Sequence, residues 1–242
     1  MVSAIELISK ISSINRVKTF IILALFVLTI SCQKEEPCGC VPPPISGREF
    51  VYLYSKTSIV YDVQQTQYAL TQLPVTKTYQ LKEDATMAVD GKNIFIERYQ
   101  RENDTQKWTI DSVFTAKKEL DKVLRTENNV TFVKLIFPVS EGLKWNGNAY
   151  NSLGNDTYEL KKMFQPFQTN GQNFNRTLTV IQQNDSTLVD LKRRIEVYAE
   201  GVGMIYQEKT NVSYCNSGDC LGKGKIDFGT KYILKIRSHE IQ

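Results

Sequence analysis

The chain has 242 residues, of which 41% are hydrophobic and 23% charged, and its formal net charge is +4. That length admits one large or two small domains. Residues 1–31 hold Lys10, Arg16 and Lys18 against Glu6, which leaves +2 for the remainder and argues against nucleic acid as a partner. Twelve Tyr and eleven Phe, together with many Val, Ile and Thr, favour strands over helices.

Lys10, Arg16 and Lys18 precede an unbroken apolar run from Phe20 to Leu28. A helix needs about 20 apolar residues to span a bilayer, so this run is too short for a permanent anchor. It reads as the apolar core of a secretory signal. The run ends in Leu28-Thr29-Ile30-Ser31-Cys32, which resembles a lipobox. The resemblance implies cleavage before Cys32 and attachment of diacylglycerol and a further acyl chain such as palmitate. Acyl chains contribute ~0.8 kcal/mol per buried methylene, so together they hold a protein stably on a membrane.

Gln33-Lys34-Glu35-Glu36 comes next. Lys34, Glu35 and Glu36 resemble the surface-export signal of Bacteroidota outer-membrane lipoproteins, and the resemblance implies an outer-membrane protein facing outward. Pro42-Pro43-Pro44 favours an extended, semi-rigid spacer. The expected organisation is a signal over 1–31, a lipidated Cys and Pro-rich tether over 32–47, and one domain over 48–242.

In that domain, short apolar runs alternate with Asn, Asp and Gly. Phe50–Tyr54 and Ile59–Val63 read as strands. Met87-Ala88-Val89 and Ile94-Phe95-Ile96 flank Asp90-Gly91, a hairpin signal. Lys122–Thr126 and Val130–Phe137 flank Asn128-Asn129 and form a second hairpin. Ala116–Arg125 carries both helical and strand patterns and is assigned to strand because of the adjoining hairpin. Gly142–Asn155 reads as loop, and Tyr158–Phe164 as one or two helical turns before Pro166. Arg176–Gln182, Arg194–Ala199, Met204–Lys209 and Tyr232–Ile236 return to strands. Eight to eleven strands joined by hairpins predict a mainly β fold, a single curved antiparallel sheet or a half-barrel or barrel with at most one or two short helices.

Two stretches carry a further resemblance. Tyr198-Ala199-Glu200-Gly201-Val202-Gly203-Met204-Ile205-Tyr206 is similar to the strand, Gly-x-Gly, strand ending of periplasmic half-barrels of the lipoprotein-carrier type. Phe137-Pro138 with Gly142-x-x-Trp145-Asn146-Gly147-Asn148 resembles a motif of Bacteroidota lipoproteins. The resemblance implies a sheet that wraps a helix or a ligand and carries no assignment of chemistry.

Four cysteines remain after Cys32: Cys38, Cys40, Cys215 and Cys220. In an oxidising compartment an even count implies disulfides, with three connectivities open. Cys215 and Cys220 enclose Asn216-Ser217-Gly218-Asp219 and are the expected staple of a hairpin tip. A Cys₄ zinc site is disfavoured because the pairs are spaced Cys-x-Cys and Cys-x₄-Cys. His239 is the sole histidine and is expected in a ragged terminus. No cofactor is expected.

Catalytic signatures are lacking. Gly201-x-Gly203 lacks the third glycine and the βαβ frame of a dinucleotide site and is read as a bend. There is no Gly-x-Ser-x-Gly elbow. Glu196 with Glu200, and Asp104 with Asp111, are carboxylate pairs of a kind a glycan hydrolase would need. Trp145, Asn146, Asn148 and Tyr150 form an aromatic and amide cluster that either docks a ligand or plugs a barrel end. Ser112 and Ser186 follow Asp and precede Val or Thr, which resembles the O-glycosylation motif of Bacteroidota. The composite expectation is a non-catalytic accessory or binding subunit that contacts the membrane through its lipid. Its partner would be another outer-membrane protein or an extracellular ligand. A half-barrel that carries or senses a hydrophobic ligand, or a surface glycan hydrolase, are the alternatives.

Overall fold

A computed structural model describes residues 46–51 and 56–241. Cys32, Lys34, Glu35, Glu36, Cys38 and Cys40 lie outside the described residues. The first six strands are β1 (Thr57–Ala69), β2 (Gln72–Met87), β3 (Asn93–Arg101), β4 (Thr109–Lys118), β5 (Lys122–Glu127) and β6 (Val130–Ile136). The second six are β7 (Lys144–Asn146), β8 (Thr157–Thr169), β9 (Gln172–Ser186), β10 (Asp190–Ala199), β11 (Gly203–Tyr214) and β12 (Ile226–Ile241). All pair antiparallel in one sheet, ordered β6-β5-β4-β3-β2-β1-β12-β11-β10-β9-β8-β7. The first and last strands therefore meet in the middle, and the two edges, β6 and β7, are neighbours in sequence.

That topology nearly closes the sheet into a barrel. At the seam, the Val133 amide donates to the Gly147 carbonyl at 2.8 Å. The Trp145 indole Nε1 donates to the Val133 carbonyl at 2.9 Å, and Asn151 Nδ2 to the Thr131 carbonyl at 2.9 Å. The Thr131 and Val133 edge groups of β6, which would otherwise template pairing with another chain, are thus satisfied within the molecule. Gly147 is required there, because a Cβ would stand 2.3 Å from the Tyr158 ring.

Strand alternation sets the core. In β3, Ile94 and Ile96 are buried while Phe95 and Glu97 face solvent. One cluster joins Phe50, Leu135, Trp145, Tyr158, Leu160, Leu178 and Val180 across the seam, and a second joins Tyr61, Val63, Leu81, Ile205, Leu234 and Ile236. Phe50 is fully buried, which contributes roughly 1.5–3 kcal/mol. It anchors the segment before β1 as a plug. Arg48 Nη1 donates to the carbonyls of Glu119 and Leu120, Lys118 Nζ to those of Arg48 and Val51, and the Gly201 amide to that of Glu49.

Five expectations are corrected. The described residues form twelve strands rather than eight to eleven, since stretches read as loop or helical turns also pair into the sheet. Phe50 belongs to a 3-10 turn, Arg48–Phe50, rather than to a strand, while 52–55 lie outside the described residues. Gly142–Asn155 contains the short strand β7 as well as loop. Tyr158–Phe164 is strand, because Tyr158 and Leu160 alternate into the core; Lys162 and Phe164 then take left-handed backbone where the β8–β9 register shifts. Glu141 accepts from the Lys162 and Met163 amides at that irregularity. His239 is held in β12 opposite Ile59, not in a ragged end. The Gly201–Gly203 bend, with positive φ at both glycines, joins β10 to β11 as expected.

Candidate functional site

The interior of the barrel carries charge. Glu83 in β2 stands opposite Arg98 in β3, and Arg125 in β5 stands opposite Ala116 in β4. Arg125 reaches over β4 and β3 to Glu83 in β2. Arg98 Nε donates to Glu83 Oε1 at 3.0 Å, and Arg125 donates through Nη1 to Oε2 at 3.1 Å and through Nη2 to Oε1 at 2.7 Å. Both guanidinium groups also lie against the Phe114 ring, at 4.4 and 5.1 Å from its centroid. Glu127 Oε1 lies 2.8 Å from Arg125 Nε as an ion pair, yet out of line with its hydrogen, so that buried Nε–H has no hydrogen-bond acceptor among the described residues.

A second carboxylate, Glu196 in β10, is 1% exposed. Its Oε1 accepts from Lys134 Nζ and from Gln207 Nε2 at 2.8 Å, and its Oε2 from the Tyr198 hydroxyl at 2.6 Å. Lys134 reaches it because the register of β5 with β6 shifts between Val123 and Leu124, leaving Lys134 without a ladder partner. A bulge of this kind re-aims a side chain. The Lys134–Glu196 pair thereby ties the seam edge to the far wall.

Burial alone would raise both carboxyl pKa values. The Arg125 and Arg98 charges outweigh it at Glu83, and Lys134, with its hydrogen bond and that of Tyr198, outweighs it at Glu196. Each is held down to about 2. A glycosidase needs one carboxylic acid that keeps its proton near neutrality. Glu83 and Glu196 are both locked as carboxylates, which makes them poor proton donors. The pairs singled out in the sequence lie outside this interior cluster or are only half in it. Glu200 is exposed and bound to Arg176, and Asp104 is tied to Arg101, Arg237 and Gln80.

The two charged clusters share one hollow of about 110 Å³. Its apolar wall includes Val51, Ile59, Ala85, Ile96, Ala116, Val123 and Met204. Lys209 in β11, Arg98 and Tyr232 in β12 line both this hollow and an adjoining cleft of about 370 Å³, whose other walls include Gln65, Tyr79, Gln100, Asp111 and Thr230. Lys209 is solvent-accessible although strands surround it, because it stands in the hollow rather than in the packed wall. Desolvation and the nearby Lys134 charge pull its pKa below the ordinary lysine value.

The sequence-predicted residues fall elsewhere. Trp145 is 9% exposed and packs edge-on against Tyr158, so it plugs the seam. Asn146 Oδ1 accepts from the amides of Asn148 and Asp156, and Asn148 is buried; of the four residues only Tyr150 is exposed. Ser186 is exposed at the end of β9, whereas Ser112 is half-buried in β4, opposite Arg98 in the ladder. Cys215 and Cys220 are joined by a disulfide in the β11–β12 connection, with Cα atoms 5.8 Å apart. Glu83, Arg98, Arg125, Lys134 and Lys209 belong to no motif visible in the sequence. A signal is present in part: Glu83 follows Leu81, and Arg98 follows Ile94 and Ile96, in the phase of the buried positions.

No family model matches the chain, and no curated protein sequence matches it. Among solved structures it is similar to a domain described as an outer-membrane lipoprotein-sorting protein from Vibrio parahaemolyticus. That match has 11% identity, covers 81% of this chain and 88% of that one, and has a TM-score of 0.23. It is also similar to a LolA-superfamily protein from Nitrosomonas europaea, at 10% identity, 82% and 94% coverage, and a TM-score of 0.20.

Proposed function

We propose that the protein is a lipid-anchored binding protein of the bacterial envelope whose barrel interior receives a small ligand, as a carrier or a sensor, without chemical turnover. The observation that carries the reading is the hollow between Glu83 and Glu196, continuous through Arg98, Lys209 and Tyr232 with an outer cleft. Concave sites with apolar walls and a few fixed polar groups are the usual form of small-molecule sites. The hollow is amphipathic, so a purely hydrophobic cargo fits it less well than a ligand with one polar end. The anchor is inferred from the lipobox-like sequence ending at Cys32.

Filling the hollow tests the reading. Ala116→Phe places a ring in the cavity while keeping the strand pattern. A panel of small amphiphiles is screened by saturation-transfer NMR against the wild type and this variant, with urea midpoints reporting on the fold. Binding by the wild type that the folded variant loses supports an interior site. Equal binding by both proteins, or no binding by the wild type, contradicts it.

One observation favours a second reading, an accessory subunit that docks a partner protein. The β1–β2 hairpin tip exposes Leu70, Leu73 and Val75 at 70%, 87% and 52%, with Phe228 of β12 also half-exposed. Exposed apolar patches often mark interaction sites. If this reading holds, Leu73→Lys removes partner capture in the native membrane and leaves amphiphile binding intact.

A further inference from the structure

Resting on the interior-site reading, the geometry points to a more specific ligand class: we infer that Lys209, at the junction of the hollow and its cleft, receives a monoanionic carboxylate whose short apolar group enters the hollow. Four cations line the hollow: Arg98, Arg125, Lys134 and Lys209. Arg98 and Arg125 share Glu83, and Lys134 is paired with Glu196. Lys209 has no ion pair or hydrogen bond among the described residues; its Nζ lies 5.9 Å from the centroid of the Tyr232 ring. Asp111 shares the outer cleft with it but forms no ion pair to it.

The balance of charge leads to the same ligand. Within the hollow itself, four cations face three carboxylates, Glu83, Glu127 and Glu196, and Asp111 stands in the cleft beyond Lys209. A single negative charge balances the hollow's own side chains, with Lys209 as the cation that lacks a protein counter-charge among the described residues. Such a ligand also gives a strong charge-assisted hydrogen bond to an ammonium that otherwise has only solvent. Desolvation and the Lys134 charge lower the Lys209 pKa, and an anion placed there opposes both effects. The volume limits the group attached to the carboxylate: a hollow of about 110 Å³ takes a short aliphatic or single-ring group, not a long acyl chain. The apolar positions Ile59, Ile96 and Met204 give that group its contact surface.

The carboxylate is that of a free short-chain acid or of a chain terminus, and the test separates them. Isothermal titration and saturation-transfer NMR compare hexanoate, hexanol and N-acetylleucine against the wild type, Lys209→Met and Lys209→Arg. Lys209→Met is shape-conserving and stands in a hollow, so the fold is retained, and urea midpoints verify this. Binding of hexanoate to the wild type, at least tenfold weaker in Lys209→Met and largely restored in Lys209→Arg, assigns a free acid; the same pattern with N-acetylleucine in place of hexanoate assigns a chain end. Hexanol binding as tightly as hexanoate, both lost in Ala116→Phe, overturns the carboxylate assignment while sparing the interior site. Absence of binding by all three probes overturns both.

Discussion

Glu83→Gln removes the charge shared by Arg98 and Arg125 while keeping the side-chain shape. The wild-type carboxyl is held at about 2, against an ordinary value of 4.5. A lowering of that size corresponds to about 3 kcal/mol of folding stability. An independent figure agrees, because breaking a buried ion pair by removing one partner costs about 3–5 kcal/mol. The side chain is only 7% exposed, so solvent screening discounts little of this. In a domain of this size a cost of ~3 kcal/mol lowers Tm by about 6–12 °C.

The pH dependence gives the sharper test. A depressed carboxyl pKa stabilises the fold above the unfolded value, and the gain fades as pH falls from about 4.5 toward about 2. At pH 3 most of that stabilisation is gone, so the gap between wild type and Glu83→Gln shrinks to about 1 kcal/mol. Urea unfolding at pH 7 and pH 3, followed through the fluorescence of Trp108 and Trp145, measures both gaps. A cost below about 1 kcal/mol at pH 7, or a gap equal at the two pH values, would refute the assignment of Glu83 as a buried, paired carboxylate.

Replacing Cys215 and Cys220 together by Ser should cost about 1–3 kcal/mol in urea unfolding, less than a 15-residue loop would give, with the far-UV spectrum unchanged. Gly147→Ala should cost about 1–3 kcal/mol, because the new methyl overlaps the Tyr158 ring at the seam, and hydrogen exchange should rise first at the Val133 amide. In cells, Cys32→Ala should abolish acyl labelling and shift the protein out of the membrane fraction. Replacing Lys34, Glu35 and Glu36 by Ala should leave labelling intact but protect the domain from added protease; equal protease access would remove those residues from the export argument.

The strands were legible in the sequence because one-sided burial writes a two-residue period, and the Asp90-Gly91 and Asn128-Asn129 turns mark where it restarts. The closure was legible only as one option beside an open curved sheet. It depends on β1 meeting β12 and on Trp145 and Gly147 capping β6, contacts between residues distant in sequence or on an edge, which leave no local period. Tyr158–Phe164 misled because Lys162 and Phe164 sit in left-handed backbone that breaks the alternation. The interior charges were hidden for a related reason. Glu196 lies in a run, Arg194 to Tyr198, that looks like an ordinary strand with one wet face, and Lys134 turns inward only through a bulge that pairing with β5 creates. The disulfide, by contrast, needed only a short separation and turn-forming residues between the two cysteines.

The central claim is that the barrel interior holds a small ligand, and the ligand carried by the native protein tests it most directly. Full-length protein is extracted from its membrane in mild detergent and measured by native mass spectrometry, beside Ala116→Phe prepared identically. The account expects the wild type to carry a small organic adduct that is released on unfolding and is missing from the folded variant. A wild type without an adduct, or an adduct retained equally by Ala116→Phe, would contradict it.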